Sequence, residues 1–371
     1  MTSGAWAGRV TSEAWAGRAL AAVLDRVAVT AAQVGPRFPL YAEPGDGRWT
    51  TTGRGSWTGG FWAGLLWLRA RSTGAEADRR AAAACTARLG SWAEADTATR
   101  GLILWYGTAS AADEGEAAAL RAHAARACLA AYDPALGIVP WGSALGGPRL
   151  LARADAVPGM VPLLAGAGPE GAAAAAGHLH RHLDLCLGTG GEEPPPAWEF
   201  TGETGWRPCA EPRPGWSRGR AWLLLAVADA LLRPEVAAHR SDDRLARAAR
   251  LLLAQGDVLT GRLVPPAEAA RPDGPPDTSA AAITAVALLK LARVPGPWAQ
   301  ECSYRAVAVL KRLAEAHVTD GAGTGRPAGM LLDGCYDSGR GLAIRHELIW
   351  GDHFLALGLA SLDGLVDITR V

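Results

Sequence analysis

Residues 217–232 read SRGRAWLLLAVADALL. Apolar side chains recur there at three- and four-residue spacing, the period of a helix and not of a strand. The same period returns in 12–34, 59–72, 76–93, 99–111, 113–132, 155–166, 169–187, 241–255, 278–293, 297–316 and 347–362. Between these segments stand helix breakers: Gly45-Asp46-Gly47, Gly188-Thr189-Gly190-Gly191, Pro194-Pro195-Pro196, Gly274-Pro275-Pro276 and the stretch 321–329. Alternation of the strand type is scarce, and Gly137-Ile138-Val139-Pro140-Trp141 is its best short extended piece. Twelve helices at about 30 residues per helix and loop make six helix pairs. The pattern predicts an all-α chain, an (α/α)6 barrel of six helical hairpins in a single domain over 1–371. Residues 1–35 form its first helix region, and 188–215 a long Pro-rich loop near the site. A stacked solenoid would need a repeat of fixed length, and only AWAGR recurs, at 5–9 and 14–18.

The composition supports a sizeable core, with 49% hydrophobic and 20% charged residues in 371. Lys plus Arg and Asp plus Glu are 37 each. That balance argues against nucleic acid as a partner, because phosphate binding needs an excess of cations. No apolar run approaches the ~20 residues of a membrane span, and the N-terminus does not read as a signal peptide. The six cysteines are scattered without a CxxC pair, and four lie in Ala/Leu-rich segments, so buried free thiols are expected. These features together predict a cytoplasmic protein. Only Lys290 and Lys311 are lysines, a bias read as coding preference. Trp supplies 15 of 24 aromatic residues. Indole suits core packing and also stacking on sugar rings.

Four segments carry more than periodicity: Trp57-Thr58-Gly59-Gly60-Phe61-Trp62-Ala63-Gly64, Trp216-Ser217-Arg218-Gly219-Arg220-Ala221-Trp222, Asp277-Thr278-Ser279-Ala280-Ala281-Ala282 and Ile349-Trp350-Gly351-Asp352-His353-Phe354. In order and spacing they resemble the signature segments of the unsaturated glucuronyl hydrolases, glycoside hydrolase family 88, over about residues 40 to 362. The resemblance implies an (α/α)6 barrel without cofactor or metal. It also implies a small acidic sugar substrate, a uronic acid with a C4=C5 double bond. An aspartate there protonates the vinyl ether and activates water to attack C5; the hemiketal then collapses and releases the aglycone.

The matching aspartate is Asp155, in Ala152-Arg153-Ala154-Asp155-Ala156-Val157-Pro158. By residue type alone Asp155 also suits a helix N-cap, with Pro158 in the first turn. Trp141 matches a family site tryptophan. Arg218 and Trp222, and likewise Trp57 and Phe61, are spaced i, i+4 and share helical faces, which suits a carboxylated sugar as well as plain packing. The second family aspartate falls in Ala98-Thr99-Arg100-Gly101-Leu102, where Thr99 replaces it and Ala98 replaces a histidine. Asp96 would face elsewhere. Arg220 stands where the family has Gln. If Arg100 or Arg220 points inward, it joins Arg218 in a distinctly cationic pocket that prefers a more negative ligand and keeps Asp155 ionised. The substrate-binding set is thus Trp57, Phe61, Thr99, Arg100, Trp141, Arg218, Arg220 and Trp222.

Other candidates read as structural. His178, His180 and His182 are expected on a solvated helix face, with no carboxylate to complete a metal site. The glycine run 321–326 lacks the features of a phosphate loop. Ser217 and Ser279 lie in no nucleophile elbow. Asp352 is expected to cap or anchor the last helix, with Tyr336, His346 and His353 at the pocket rim. Three functions are compatible with this sequence. The first is an unsaturated uronyl hydrolase, with Asp155 as acid and base. The second is a barrel recruited to another acid/base step in small-molecule biosynthesis, such as isomerisation or cyclisation. The third is a non-catalytic carbohydrate- or partner-binding barrel.

Overall fold

The computed structural model describes residues 14–111, 115–188, 193–239, 242–322 and 325–371. Its helices are α1 (Ala14–Val34), α2 (Gly59–Thr73), α3 (Glu76–Ala87), α4 (Tyr106–Ala109), α5 (Gly115–Ala130), α6 (Met160–Ala165) and α7 (Pro169–Cys186). They continue with α8 (Ser217–Leu231), α9 (Pro234–Ala237), α10 (Asp242–Ala254), α11 (Thr278–Leu291), α12 (Ala299–Ala316) and α13 (Ile349–Leu362). A π-helical turn, Gly101–Trp105, leads into α4. The first copy of AWAGR lies outside the described residues.

Helices α2, α8, α11 and α13 are buried along nearly their whole length. Their apolar residues run around the full circumference, so no face is left for water. They contact one another in a closed cycle: α2 meets the π turn and α4, the π turn meets α6, α6 meets α8, then α11, then α13, which returns to α2. Outside this cycle α1 packs on α13, α3 on α2, α5 and α7 on α6, α10 on α8, and α12 on α11. The close approaches require glycine. A Cβ on Gly60 would stand 2.2 Å from the Ile103 carbonyl oxygen, and one on Gly101 would stand 2.3 Å from the Met160 nitrogen.

The chain is mostly helical, but the all-α expectation is corrected by two small sheets. Strands β1 (Phe38–Ala42) and β2 (Trp49–Thr52), with β6 (Gly334–Asp337) and β7 (Leu342–Leu348), form one sheet in the order β2-β1-β7-β6. The other, ordered β3-β4-β5, comprises β3 (Leu151–Arg153), β4 (Ala197–Thr201) and β5 (Gly205–Pro208). The Pro-rich stretch therefore contains a β-hairpin over 197–208, laid antiparallel on the segment before Asp155 with Arg153 opposite Ala197. The expected extended piece at 137–141 makes only an isolated bridge, Asp133 to Ile138. Among the described residues all six cysteines are free thiols, and no helix is long and apolar enough to cross a membrane.

Candidate active site

Asp155 lies in a single 3-10 turn, Ala154–Ala156, directly after β3 and packed against α8. It caps no helix: α6 starts later, behind Gly159, whose φ of 71° suits a residue without Cβ. The Asp155 side chain is 16% exposed, and its Oδ1 lies 3.2 Å from Nε of Arg153, itself 29% exposed. The two atoms are enclosed, yet neither finds a directed hydrogen-bond partner. Behind the carboxylate stands Cys186 of α7, whose thiol is pushed up by burial and further by the Asp155 charge.

Arg153 is flanked by indoles. Its Cζ is 5.4 Å from the Trp141 ring and 5.6 Å from the Trp216 ring. Arg218 continues the series, 5.1 Å from Trp216 and 5.4 Å from Trp350. Trp350 meets Trp57 at 4.9 Å, and Trp57 Nε1 donates to the Tyr336 hydroxyl at 3.2 Å. Guanidinium and indole therefore alternate from Trp141 to Trp350, and Trp57 packs on the last indole, drawing four distant segments together.

The buried Arg218 is largely committed to structure. It pairs with Asp277 at 2.7 Å and donates to the carbonyls of Cys335 and Tyr336. Asp277 in turn caps α11, accepting from the Ser279 and Ala280 amides. Phe61 and Trp222 are 0% and 1% exposed. Their rings lie 13° from parallel at 6.3 Å, within a cluster that includes Tyr106, His353 and Phe354. Phe61 and Trp222, both expected at the sugar, are thus enclosed among other rings. Trp57 is half-buried, and Trp141 is 8% exposed.

Neither extra arginine joins Arg218. Arg100 is buried and turns back on its own segment, donating to the carbonyls of Thr97 and Ala93 at 3.0 and 3.2 Å. Arg220 holds Glu193 through two contacts of 2.9 Å and lines a separate small cavity with Arg262 and Arg305. Two positions along a helix turn a side chain through about 200°, which separates Arg220 from Arg218. The cation beside Asp155 is Arg153. Thr99 is buried, its hydroxyl 2.9 Å from that of Thr97. Asp96 lies outside any helix and secures the loop after Trp141: it accepts from the Ser143 amide and hydroxyl and pairs with Arg149. Partial burial opposes its charge, but the Ser143 bonds and Arg149 prevail and hold it below the usual carboxylate range.

The three histidines of α7 are buried, not solvated. His178 Nδ1 accepts the Val139 amide at 3.0 Å, and Nε2 lies 3.2 Å from the Ala156 carbonyl. One neutral imidazole thus ties the Asp155 turn to the strip leading to Trp141. Burial, with His182 adjacent, holds His178 well below 6.5, and burial pushes His182 down to about 4. His353 is likewise buried away from any rim and pushed down to about 3. Tyr336 and His346 keep partial exposure beside Tyr41 and Trp57. Asp352 does not cap α13 but anchors it: buried, it accepts a backbone bond from Leu331, and it is pushed well above the usual range by burial and then by Glu347, with Arg26 and the Leu331 bond opposing. Sequence reasoning passed over Arg153, Trp216 and His178 as site residues, although the first two stand inside the quoted motifs.

Solved structures align with this arrangement over nearly the whole chain. An unsaturated glucuronyl hydrolase from Bacillus sp. GL1, responsible for glycosaminoglycan degradation, matches with TM-score 0.78 at 21% identity, over 94% of this chain and 97% of that one. One specific for heparin matches with TM-score 0.80 at 18% identity, over 96% and 99%. One from Streptococcus agalactiae matches with TM-score 0.78 at 17% identity, over 96% and 94%. The fold is that of the unsaturated glucuronyl hydrolases. No protein-family model and no curated protein matches the chain by sequence. The likeness to these hydrolases is therefore one of fold, and the motif segments gather around Arg218, Trp350 and Trp57.

Proposed function

We propose that this protein is an acid/base enzyme of the glycoside hydrolase kind, acting on an unsaturated uronyl or closely related acidic sugar, with Asp155 as the proton-transferring group. The observation that carries this reading is the Asp155 carboxylate, partly exposed beside Arg153 and the indoles of Trp141 and Trp216, on a fold shared with unsaturated glucuronyl hydrolases. The closed cycle of helix contacts supports a single six-hairpin barrel as its scaffold. One solved neighbour is a complex with dGlcA-GalNAc6S, in keeping with a ligand that carries negative charge.

In the reaction, protonated Asp155 delivers its proton to C4 of the C4=C5 vinyl ether, and positive charge develops at C5 and the ring oxygen. The carboxylate so formed takes a proton from water as that water adds to C5. The hemiketal opens to a keto acid and expels the aglycone as an alcohol, so one water is consumed per bond broken. His178 fixes the Asp155 turn through the Ala156 carbonyl and takes no part in proton transfer, since burial keeps it neutral.

A second reading, recruitment of the barrel to a different acid/base step, is favoured by the Thr97–Thr99 hydroxyl pair, which puts no carboxylate at that position. Unsaturated glucuronyl disaccharides decide between them, followed by loss of the ultraviolet absorbance of the conjugated double bond. Wild-type hydrolysis that vanishes in Asp155→Asn, with an unchanged melting temperature, supports the hydrolase. Activity appearing only in Thr99→Asp supports recruitment. Undiminished activity in Asp155→Asn removes Asp155 from the mechanism.

A further inference from the structure

We propose that Arg153 is the carboxylate receptor of this site, and that a bound carboxylate withdraws it from Asp155. The inference rests on the proposed acid/base role of Asp155. The arginines around the site differ in what their N–H groups do. Those of Arg218 are engaged by Asp277 and two carbonyls, those of Arg100 by two carbonyls, and Arg220 is forked onto Glu193. Arg153 is held instead through its π face, by Trp141 and Trp216. Stacking of this kind fixes a guanidinium without consuming its donors. Its Nε is enclosed and has no hydrogen-bond acceptor, and the Asp155 Oδ1 it approaches at 3.2 Å is likewise enclosed and unsatisfied.

A close ion pair lacking an aligned hydrogen bond leaves both partners short of their best geometry. A sugar carboxylate coplanar with the guanidinium offers Arg153 two aligned bonds in exchange for one misaligned contact. Two thiols flank the pair: Cys186 behind Asp155 is raised by burial, and Cys209 on the hairpin side is raised by burial and by Glu199 and lowered by Arg153, so neither offers a competing anion. The charged group on the hairpin is Glu199 of β4, opposite Leu151. The ligand carboxylate thus takes the place that Asp155 holds on the guanidinium.

The test measures binding without turnover, by the fluorescence of the flanking indoles and by calorimetry, with D-glucuronate and D-glucose as probes. Wild type is expected to bind glucuronate saturably and glucose at least about tenfold more weakly, the scale of a lost charge-assisted pair. Arg153→Gln is expected to lose about tenfold in glucuronate affinity, and Arg153→Lys less. Asp155→Asn, which frees Arg153, is expected to bind glucuronate more tightly than wild type. Equal binding of the two sugars, unchanged affinity in Arg153→Gln, or weaker binding in Asp155→Asn would overturn the proposal. Should Arg153→Gln fail to fold, Arg153→Lys and Asp155→Asn still decide. Arg153-dependent binding without hydrolysis leaves the receptor standing and removes the hydrolase reading. Hydrolysis indifferent to Arg153→Gln does the reverse.

Discussion

Acidification should loosen the support behind Asp155 through the buried histidines of α7. His182 is fully enclosed; its Nδ1 lies 2.7 Å from the His178 carbonyl, its ring lies 4.3 Å from that of His178, and its Nε2 has no partner. Burial lowers it from 6.5 to about 4. The folded value is the depressed one, so the unfolded chain takes up this proton first as pH falls. Stability is full above about pH 7 and declines from about 6.5 towards 4, at up to about 1.4 kcal/mol per pH unit. Between pH 8 and pH 5 this single group withdraws about 2 kcal/mol. His182→Leu substitutes a side chain that cannot titrate and gives up one ring N–H bond, so it should lose about 2 kcal/mol less than wild type over that interval. Urea unfolding followed by circular dichroism at the two pH values gives the difference directly. Equal losses in the two proteins would refute the argument, because they would mean that His182 titrates alike in the folded and unfolded chains. His178, held well below 6.5, and His353, pushed down to about 3, stay in both proteins and contribute to the slope that remains.

Arg218→Lys keeps the charge but forfeits the fork that joins Asp277 to the carbonyls of 335 and 336; urea unfolding should show a loss of about 3 kcal/mol, and an unchanged midpoint would show that the pair is dispensable. Gly60→Ala places a Cβ against the Ile103 and Leu102 carbonyls. It should cost about 3 kcal/mol or more in thermal or urea unfolding, whereas Gly45→Ala, with nothing within 4 Å, should be close to neutral.

The helices were legible because long segments with one period leave little ambiguity. The sheets were not: their strands span three to seven residues, and two of them sit in a stretch dominated by Pro and Gly. The burial of His178, His180 and His182 was hidden by an Ala-rich helix, in which small residues mark no apolar face. That Trp141, Arg218 and Trp57 come together was expected from their motifs, but direction was not legible. Arg100 and Arg220 stand one and two positions from residues of interest, and each position along a helix rotates a side chain by about 100°. Arg153 escaped notice because a charged residue two places before a candidate acid has no distinctive spacing. Only the packing of Trp141 and Trp216 singles it out.

The π-helical turn Gly101–Trp105 has an implication of its own for how this molecule can change. Such a turn holds one residue more than regular winding allows. The surplus residue is taken up inside the turn, so the segment before it and α4 after it keep their bearings. Excising one residue there would return the turn to α-helical winding. The stretch between position 99 and Tyr106 is thus a place where the chain can lose one residue with Thr99 still beside Thr97 and the rings still packed against Tyr106.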